Sequence, residues 1–253
     1  MTSKSIAVIA GLGNGTGIGA AVARQFASRH FRVAVIGRQG ANTVADDINA
    51  SGGEAATFAL ADYDFKSIQG TFKDIRARWS DGRVRAAIWN TAQWSMVPFL
   101  DVTEELIQQS VKINIVASFA FAQEAIKLML EPGTDTEPPG GSLLFTGATS
   151  ATRGAKNFSA FSAGKHGLRA LSQSLAREFG PENIHVAFVI VDGVIATDRT
   201  HQVFTSQEAK AMLADKHKHL EPDSIAKAYL YLHEQDVSCW THELDLRPAH
   251  EKF

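Results

Sequence analysis

Short apolar runs recur along the chain at 6–10, 33–36, 56–60, 84–89, 142–145, 185–191 and 240–246. They are rich in β-branched residues and do not alternate with polar ones, which is the pattern of strands buried on both faces of a parallel sheet. Between them the apolar period lengthens to that of helices, at 19–28, 41–50, 65–79, 103–130 and 157–179. In the first helix Ala20, Ala21, Val22, Ala23, Phe26 and Ala27 crowd towards the sheet. Strands alternating with helices of this size imply right-handed crossovers. The expected fold is α/β: a single-domain, Rossmann-like, doubly wound parallel sheet of about seven strands, with helices on both faces, over 1–253. Residues 131–141, with Pro132, Gly133, Pro138, Pro139, Gly140 and Gly141, read as a surface loop. From 195 to 222 the pattern turns polar around a short helix that Thr205 and Glu208 could open as a capping box. No internal repeat is visible.

Composition narrows the classes. A chain of 253 residues, 45% hydrophobic, can bury a full core. Net charge is −2 with Lys and Arg scattered, so nucleic acid and a membrane surface are poor partners. The first residues run directly into a strand, with neither a signal-peptide core nor an apolar stretch of bilayer length expected, so the protein should be soluble and cytoplasmic. The single Cys239 excludes an internal disulfide, and no Cys and His cluster has metal-ligand spacing, so no metal is expected. The nine histidines are dispersed, and most read as surface residues.

The strongest chemical signal lies between the first strand and the first helix, in Gly11-Leu12-Gly13-Asn14-Gly15-Thr16-Gly17-Ile18-Gly19. Glycines let the backbone turn tightly and approach a pyrophosphate, whose charge meets free N–H groups at the helix start. The second strand ends Val35-Ile36-Gly37-Arg38. A carboxylate there would bind the 2′-hydroxyl of NAD, whereas Gly37 leaves room and Arg38 can pair with a 2′-phosphate, favouring NADP over NAD. Otherwise Arg38 is an ordinary solvated cation.

Gly13, Gly17 and Gly19 match the Gly-x-x-x-Gly-x-Gly of short-chain dehydrogenases, and the chain resembles that family over almost its whole length. The resemblance places Asp62 against adenine, Asn90-Thr91-Ala92-Gln93 where the family has Asn-Asn-Ala-Gly, and Thr197 near the pyrophosphate or carboxamide. Asn90 and Ala92 match; Gln93 replaces a glycine. In the family an asparagine, a serine, a tyrosine and a lysine act as one unit. The serine orients the carbonyl, the tyrosine donates its proton, the lysine lowers the tyrosine pKa and holds the ribose, and the asparagine anchors a relay water. Asn114 and Lys165 match the first and last. Phe161 stands in the place of the tyrosine, in Phe161-Ser162-Ala163-Gly164-Lys165, and thirteen positions before it the serine is replaced by Ala148. Either Thr149 moves into the serine's place or that hydroxyl is lost. None of Tyr63, Tyr229 and Tyr231 is a natural replacement, and His166 faces elsewhere, because helix neighbours point about 100° apart.

A phenyl ring cannot protonate an alkoxide, but hydride addition to an iminium ion gives a neutral amine and needs no such acid. The expected activity is an NADP(H)-dependent oxidoreductase with an altered catalytic set, reducing an imine or activated C=C rather than a simple ketone. The alternative is a non-redox protein on the same fold: an isomerase, cyclase, lyase or cofactor-binding regulator. Asp192, in Asp192-Gly193 where the family has Pro-Gly, either balances a cationic substrate or is a turn residue with its side chain in solvent or capping nearby amides. Trp94, Met96, Phe99 and Phe158 are candidates for an apolar wall around a small-molecule substrate, and His201 lies in the segment that could cover it. Small residues Ala160, Ala163, Gly164, Gly167 and Ala170 permit close helix approach, and the resemblance implies a homodimer or homotetramer. The tail from Leu246 to Phe253 departs from the family's ending and could cover a neighbouring subunit.

Overall fold

A computed structural model describes residues 5–37, 41–132 and 140–252. Seven strands form one parallel sheet: β1 (Ser5–Ala10), β2 (Arg32–Gly37), β3 (Glu54–Ala59), β4 (Arg83–Trp89), β5 (Gly141–Thr146), β6 (Ile184–Val191) and β7 (Glu243–Leu246), in the order β3-β2-β1-β4-β5-β6-β7. Alternate residues of each central strand enter different cores, as the pleat requires. Ile6, Val8 and Ala10 of β1 join one cluster, while Ala7 and Ile9 join the other. The first core takes α3 (Phe65–Arg78), α5 (Ala117–Leu130) and α6 (Ser159–Phe179); the second takes α1 (Ile18–Ala27), α2 (Ala41–Ala50) and α9 (Pro222–His233). α1 approaches closely because its inward face is Gly19, Ala20, Ala21 and Ala23, all buried. The strand order reverses across β1 and β4, and the crevice above their carboxyl ends is where a doubly wound sheet offers a site.

Several expectations need correction. The long helix expected over 103–130 is α4 (Glu104–Val111) and α5, joined by a π-helical segment, Lys112–Val116. Its most apolar window, within Glu104–Leu130, has mean hydropathy 1.4 and is long and apolar enough to cross a bilayer, contrary to expectation, but 56% of that window is buried in this fold. The apolarity of α5 is that of a core helix.

The polar segment after β6 carries two helices. α7 (Asp198–Val203) opens with a capping box of Thr197 and Thr200, and α8 (Gln207–Ala214) is capped by Ser206, so Thr205 and Glu208 do not form the expected box. β7 starts later than the apolar run, because the Trp240 ring leaves the strand to stack on His185 at 4.9 Å. His185 and His219 are buried rather than on the surface. Gly141 belongs to β5 rather than to the loop expected at 131–141, most of which, like Arg38, lies outside the described residues.

Gly147, just past β5, is pressed against Phe188 of β6. A Cβ there would overlap two atoms of the Phe188 ring and lie 3.0 Å from a third, and that ring is fully buried. Gly147→Ala is expected to cost about 1–3 kcal/mol by overpacking. Urea unfolding would measure this, and an unchanged midpoint would mean the ring has room to yield.

Candidate active site

The carboxyl ends of β1, β4, β5 and β6 bring the candidate residues together. Leaving β1, the chain turns with positive φ at Gly11, Gly13 and Gly15. Asn90, just past β4, donates its Nδ2 to the Gly11 carbonyl at 2.6 Å and its backbone N–H to Ala10 at 3.0 Å. A Cβ at Gly11 would lie 2.7 Å from the Asn90 carbonyl carbon, and one at Gly19 would strike the Gly11 carbonyl oxygen. These two glycines close the loop onto the sheet. Gly13 and Gly17 instead border open space among the described residues: Gly13 has none of their atoms within 4 Å of a built Cβ, and Gly17 has only Thr197 Cγ2 at 3.9 Å. Asn14 folds back to accept from the Thr16 N–H and hydroxyl, and Thr16 in turn accepts from the Asp198 N–H at 3.3 Å. The segment containing Thr197 therefore lies against the glycine loop. α1 begins at Ile18 without a side-chain cap and with no acidic residue in its first turn.

Other candidates on this side are placed less simply. Asp62 is tied to Lys112 Nζ at 2.6 Å, and that ammonium together with the Tyr63 N–H holds its carboxyl below the usual range. Ala92 follows Thr91, whose buried hydroxyl has no hydrogen-bond partner among the described residues. Gln93 donates its N–H to Asn114 Oδ1 at 3.2 Å.

Asn114 is fully buried at the centre of the π-helical segment, the kind of local widening that re-aims a side chain. Its Nδ2 donates to Ser110 Oγ at 3.1 Å, and Ser110 donates to the Ala160 carbonyl of α6 at 2.8 Å. Gly164 and Gly167, read above as small residues for a partner helix, press on this segment within the chain. A Cβ at Gly164 would be 2.7 Å from Asn114 Nδ2, and one at Gly167 would be 2.8 Å from Ile115 Cδ1. Ser110, four residues before Asn114, was legible as a helix-face neighbour but carried no motif.

Lys165 on α6 is 2% exposed and donates to the Thr146 carbonyl at 2.7 Å. Burial pulls its ammonium down to about 8. Phe161, one turn earlier, is buried with its ring centroid 5.9 Å from Lys165 Nζ, where it offers polarisable surface but no proton. Tyr229 comes closer than expected, its hydroxyl 2.6 Å from Thr146 Oγ1. Burial raises that phenol far above neutrality, and it approaches from the opposite core. His166 Nδ1 lies 2.8 Å from the Ser162 carbonyl of its own helix, and His201 is exposed.

Ala148 leaves no hydroxyl at its position, and Thr149 beside it donates its hydroxyl proton in a short bond to Asp192 Oδ1. Asp192 is neither a solvated turn residue nor a cap on backbone amides: it is 6% exposed and also lies 3.8 Å from Arg247, which pairs more closely with Asp245 at 3.0 Å. Sequence reading missed Arg247. The tail beyond it packs on its own chain, with Pro248 over Gly193 and the His250 N–H donating to the His217 carbonyl at 2.9 Å.

Comparison with known proteins agrees with this architecture. The short chain dehydrogenase family model matches residues 5–208. A probable galactose dehydrogenase of Rhizobium meliloti (strain 1021) is 28% identical over 207 residues, covering 81% of this chain and 77% of the relative. The crystal structure of a short-chain dehydrogenase from Rhodopseudomonas palustris is 30% identical with a TM-score of 0.76, covering 97% of this chain and 98% of that one. A metagenomic short-chain oxidoreductase solved in complex with NADP shares the fold at 21% identity and a TM-score of 0.76, over 97% and 98% of the two chains. With most of its length matched by the family model, the chain belongs to the short-chain dehydrogenase family.

Proposed function

We propose that this protein is an NADP(H)-dependent oxidoreductase that reduces an imine, or an activated C=C, rather than a simple ketone. The observation that carries this reading is the direction of the hydroxyl beside Ala148: Thr149 gives its proton to Asp192. Its oxygen then offers only lone pairs, and Asp192 is an acceptor as well. A ketone oxygen needs donors, which Ala148 and Phe161 do not supply. An iminium N–H needs acceptors, which Thr149 and Asp192 do supply.

The residues fit a dinucleotide. Open space at Gly13 and Gly17, uncapped amides at Ile18, the unpartnered Thr91 hydroxyl and the lack of acid in the first turn suit a pyrophosphate and ribose. Gly37 and Arg38 favour the 2′-phosphate of NADP, and a related fold holds NADP. A bound nicotinamide would supply hydride to the substrate carbon. Lys165 would hold the nicotinamide ribose, Asn114 would anchor a relay water, Thr197 would reach the pyrophosphate or carboxamide, and the segment 195–222 would cover the substrate. Exposed Ile107, Val111 and Phe119 on α4 and α5 support assembly as a homodimer or homotetramer.

The test is NADPH oxidation against ketones, cyclic imines and enones. Turnover of imines but not ketones is expected. Asp192→Asn should lower imine turnover on the order of 10- to 100-fold, the loss of one charged hydrogen bond. Ketone reduction at comparable rates would overturn the reading, whereas tight NADPH binding with no turnover of any class would favour the non-redox alternative.

A further inference from the structure

We infer that the substrate is an aryl-fused cyclic imine, bound as its cation with its aromatic ring on a rail formed by Trp94 and Phe158. The inference rests on the imine reading above and names its substrate class. A line of rings runs from the altered centre to the surface. Phe161 lies 6.4 Å from Phe158, and Phe158 lies 6.0 Å from Trp94, the second pair nearly edge-to-face at 73°. Edge-to-face packing leaves ring faces available to a third flat ring, the arrangement aromatic groups prefer.

Trp94 is 53% exposed although it is the largest apolar side chain on its loop, and Met96 two residues on is 54% exposed. They are held in place rather than merely loose on the surface. The Gln93 N–H is fixed by Asn114 Oδ1, which roots Trp94 beside the catalytic asparagine position. The Val97 N–H donates to the Asn157 carbonyl at 2.7 Å, tying the Trp94 loop to the start of α6. Asn157 itself turns at φ 69°, a left-handed conformation that asparagine adopts readily, so the chain reverses there without strain. Two loops are thus joined so that Trp94 and Phe158 stand together.

Both ends of the site meet at Thr146. Its carbonyl holds Lys165, against which Phe161 and then the aromatic rail are packed, and three residues later Thr149 and Asp192 present acceptors. A ligand spanning the two ends needs a cationic N–H at one and a planar apolar ring at the other. Ring faces also attract a delocalised cation, which an aliphatic neutral ligand would not exploit. A protonated imine fused to an arene has both features within one rigid unit.

The test compares 3,4-dihydroisoquinoline with 2-methyl-1-pyrroline as substrates, and their product amines, 1,2,3,4-tetrahydroisoquinoline and 2-methylpyrrolidine, as ligands measured by calorimetry with NADP present. The aryl amine is expected to bind at least tenfold more tightly, and Trp94→Ala should remove most of that preference while Trp94→Phe retains it. In turnover the preference should appear mainly in KM. Absent or equal binding of the two amines, or a preference unaffected by Trp94→Ala, overturns the inference. So does loss of oligomeric state in Trp94→Ala without amine binding, which would assign the rail to a second copy of the chain. If the aryl amine binds preferentially through Trp94 yet neither imine is reduced, the ligand class stands and the proposed reaction fails.

Discussion

Gly19→Ala is expected to raise the Kd for NADPH by at least about 100-fold and to lower stability by about 1–3 kcal/mol, the usual cost of overpacking. The new methyl would meet the Gly11 carbonyl oxygen and lie 3.0 Å from Asn90 Nδ2, and these two groups hydrogen-bond each other at 2.6 Å. A carbonyl in a loop pinned to two strands cannot rotate aside as a side-chain terminus can. Gly11 bonds its N–H to Ile36 of β2, and its Cα sits against Asn90 at the end of β4, so yielding at Gly19 would distort the crevice on both sides. Gly13→Ala is the contrasting variant. No atom of the described residues lies within 4 Å of the new methyl, but φ is +61°, so about 1–2 kcal/mol of left-handed strain is expected without core damage. Fluorescence titration with NADPH and urea unfolding would separate the two. Equal cofactor affinity for Gly19→Ala and the unaltered protein would show that the dinucleotide does not depend on this loop.

The same loop shows what the sequence could reveal. Its glycines stand at fixed intervals beside a strand and a helix start, so local spacing carries the geometry, and the alternating strand and helix runs likewise carry the doubly wound sheet. The π-helical segment at Lys112–Val116 was not legible, because one extra residue in a turn barely disturbs an apolar period, yet it sets Asn114. The role of Asp192 was illegible for a different reason. Thr149, Asp192 and Arg247 are far apart in the chain and meet only because β5, β6 and β7 are adjacent, which brings the residues following each strand together. Residue types at 148 and 161 show that neither position carries a hydroxyl. Only the strand order shows where the remaining hydroxyl directs its proton. The cap expected at Thr205 falls one residue later, at Ser206 of α8, because both positions offer a hydroxyl, while α7 with its cap at Thr197 was not read from the polar segment.

Lys165 gives the second large effect, in stability rather than in chemistry. Its ammonium titrates near 8 in the folded protein against an ordinary 10.5, because burial removes it from water with one carbonyl as its hydrogen-bond partner. The unfolded chain therefore binds more protons between pH 8 and 10.5, and stability should rise with pH across that window. Below pH 8 the penalty is full, on the order of 3 kcal/mol for a shift of this size. Lys165→Met keeps the length and apolar volume of the side chain but removes the charge. The variant should lose that rise with pH and be more stable than the unaltered protein at pH 7, by less than the full penalty because the Thr146 carbonyl loses a donor. Urea unfolding at several pH values reads the difference between the two proteins, which cancels the titration of other groups. Parallel pH profiles would refute the assignment. A fold that keeps so costly a cation between the apolar Phe161 and the Thr146 carbonyl is retaining it for something other than packing. NADPH affinity reduced about tenfold or more in the same variant would identify that use as binding the ribose.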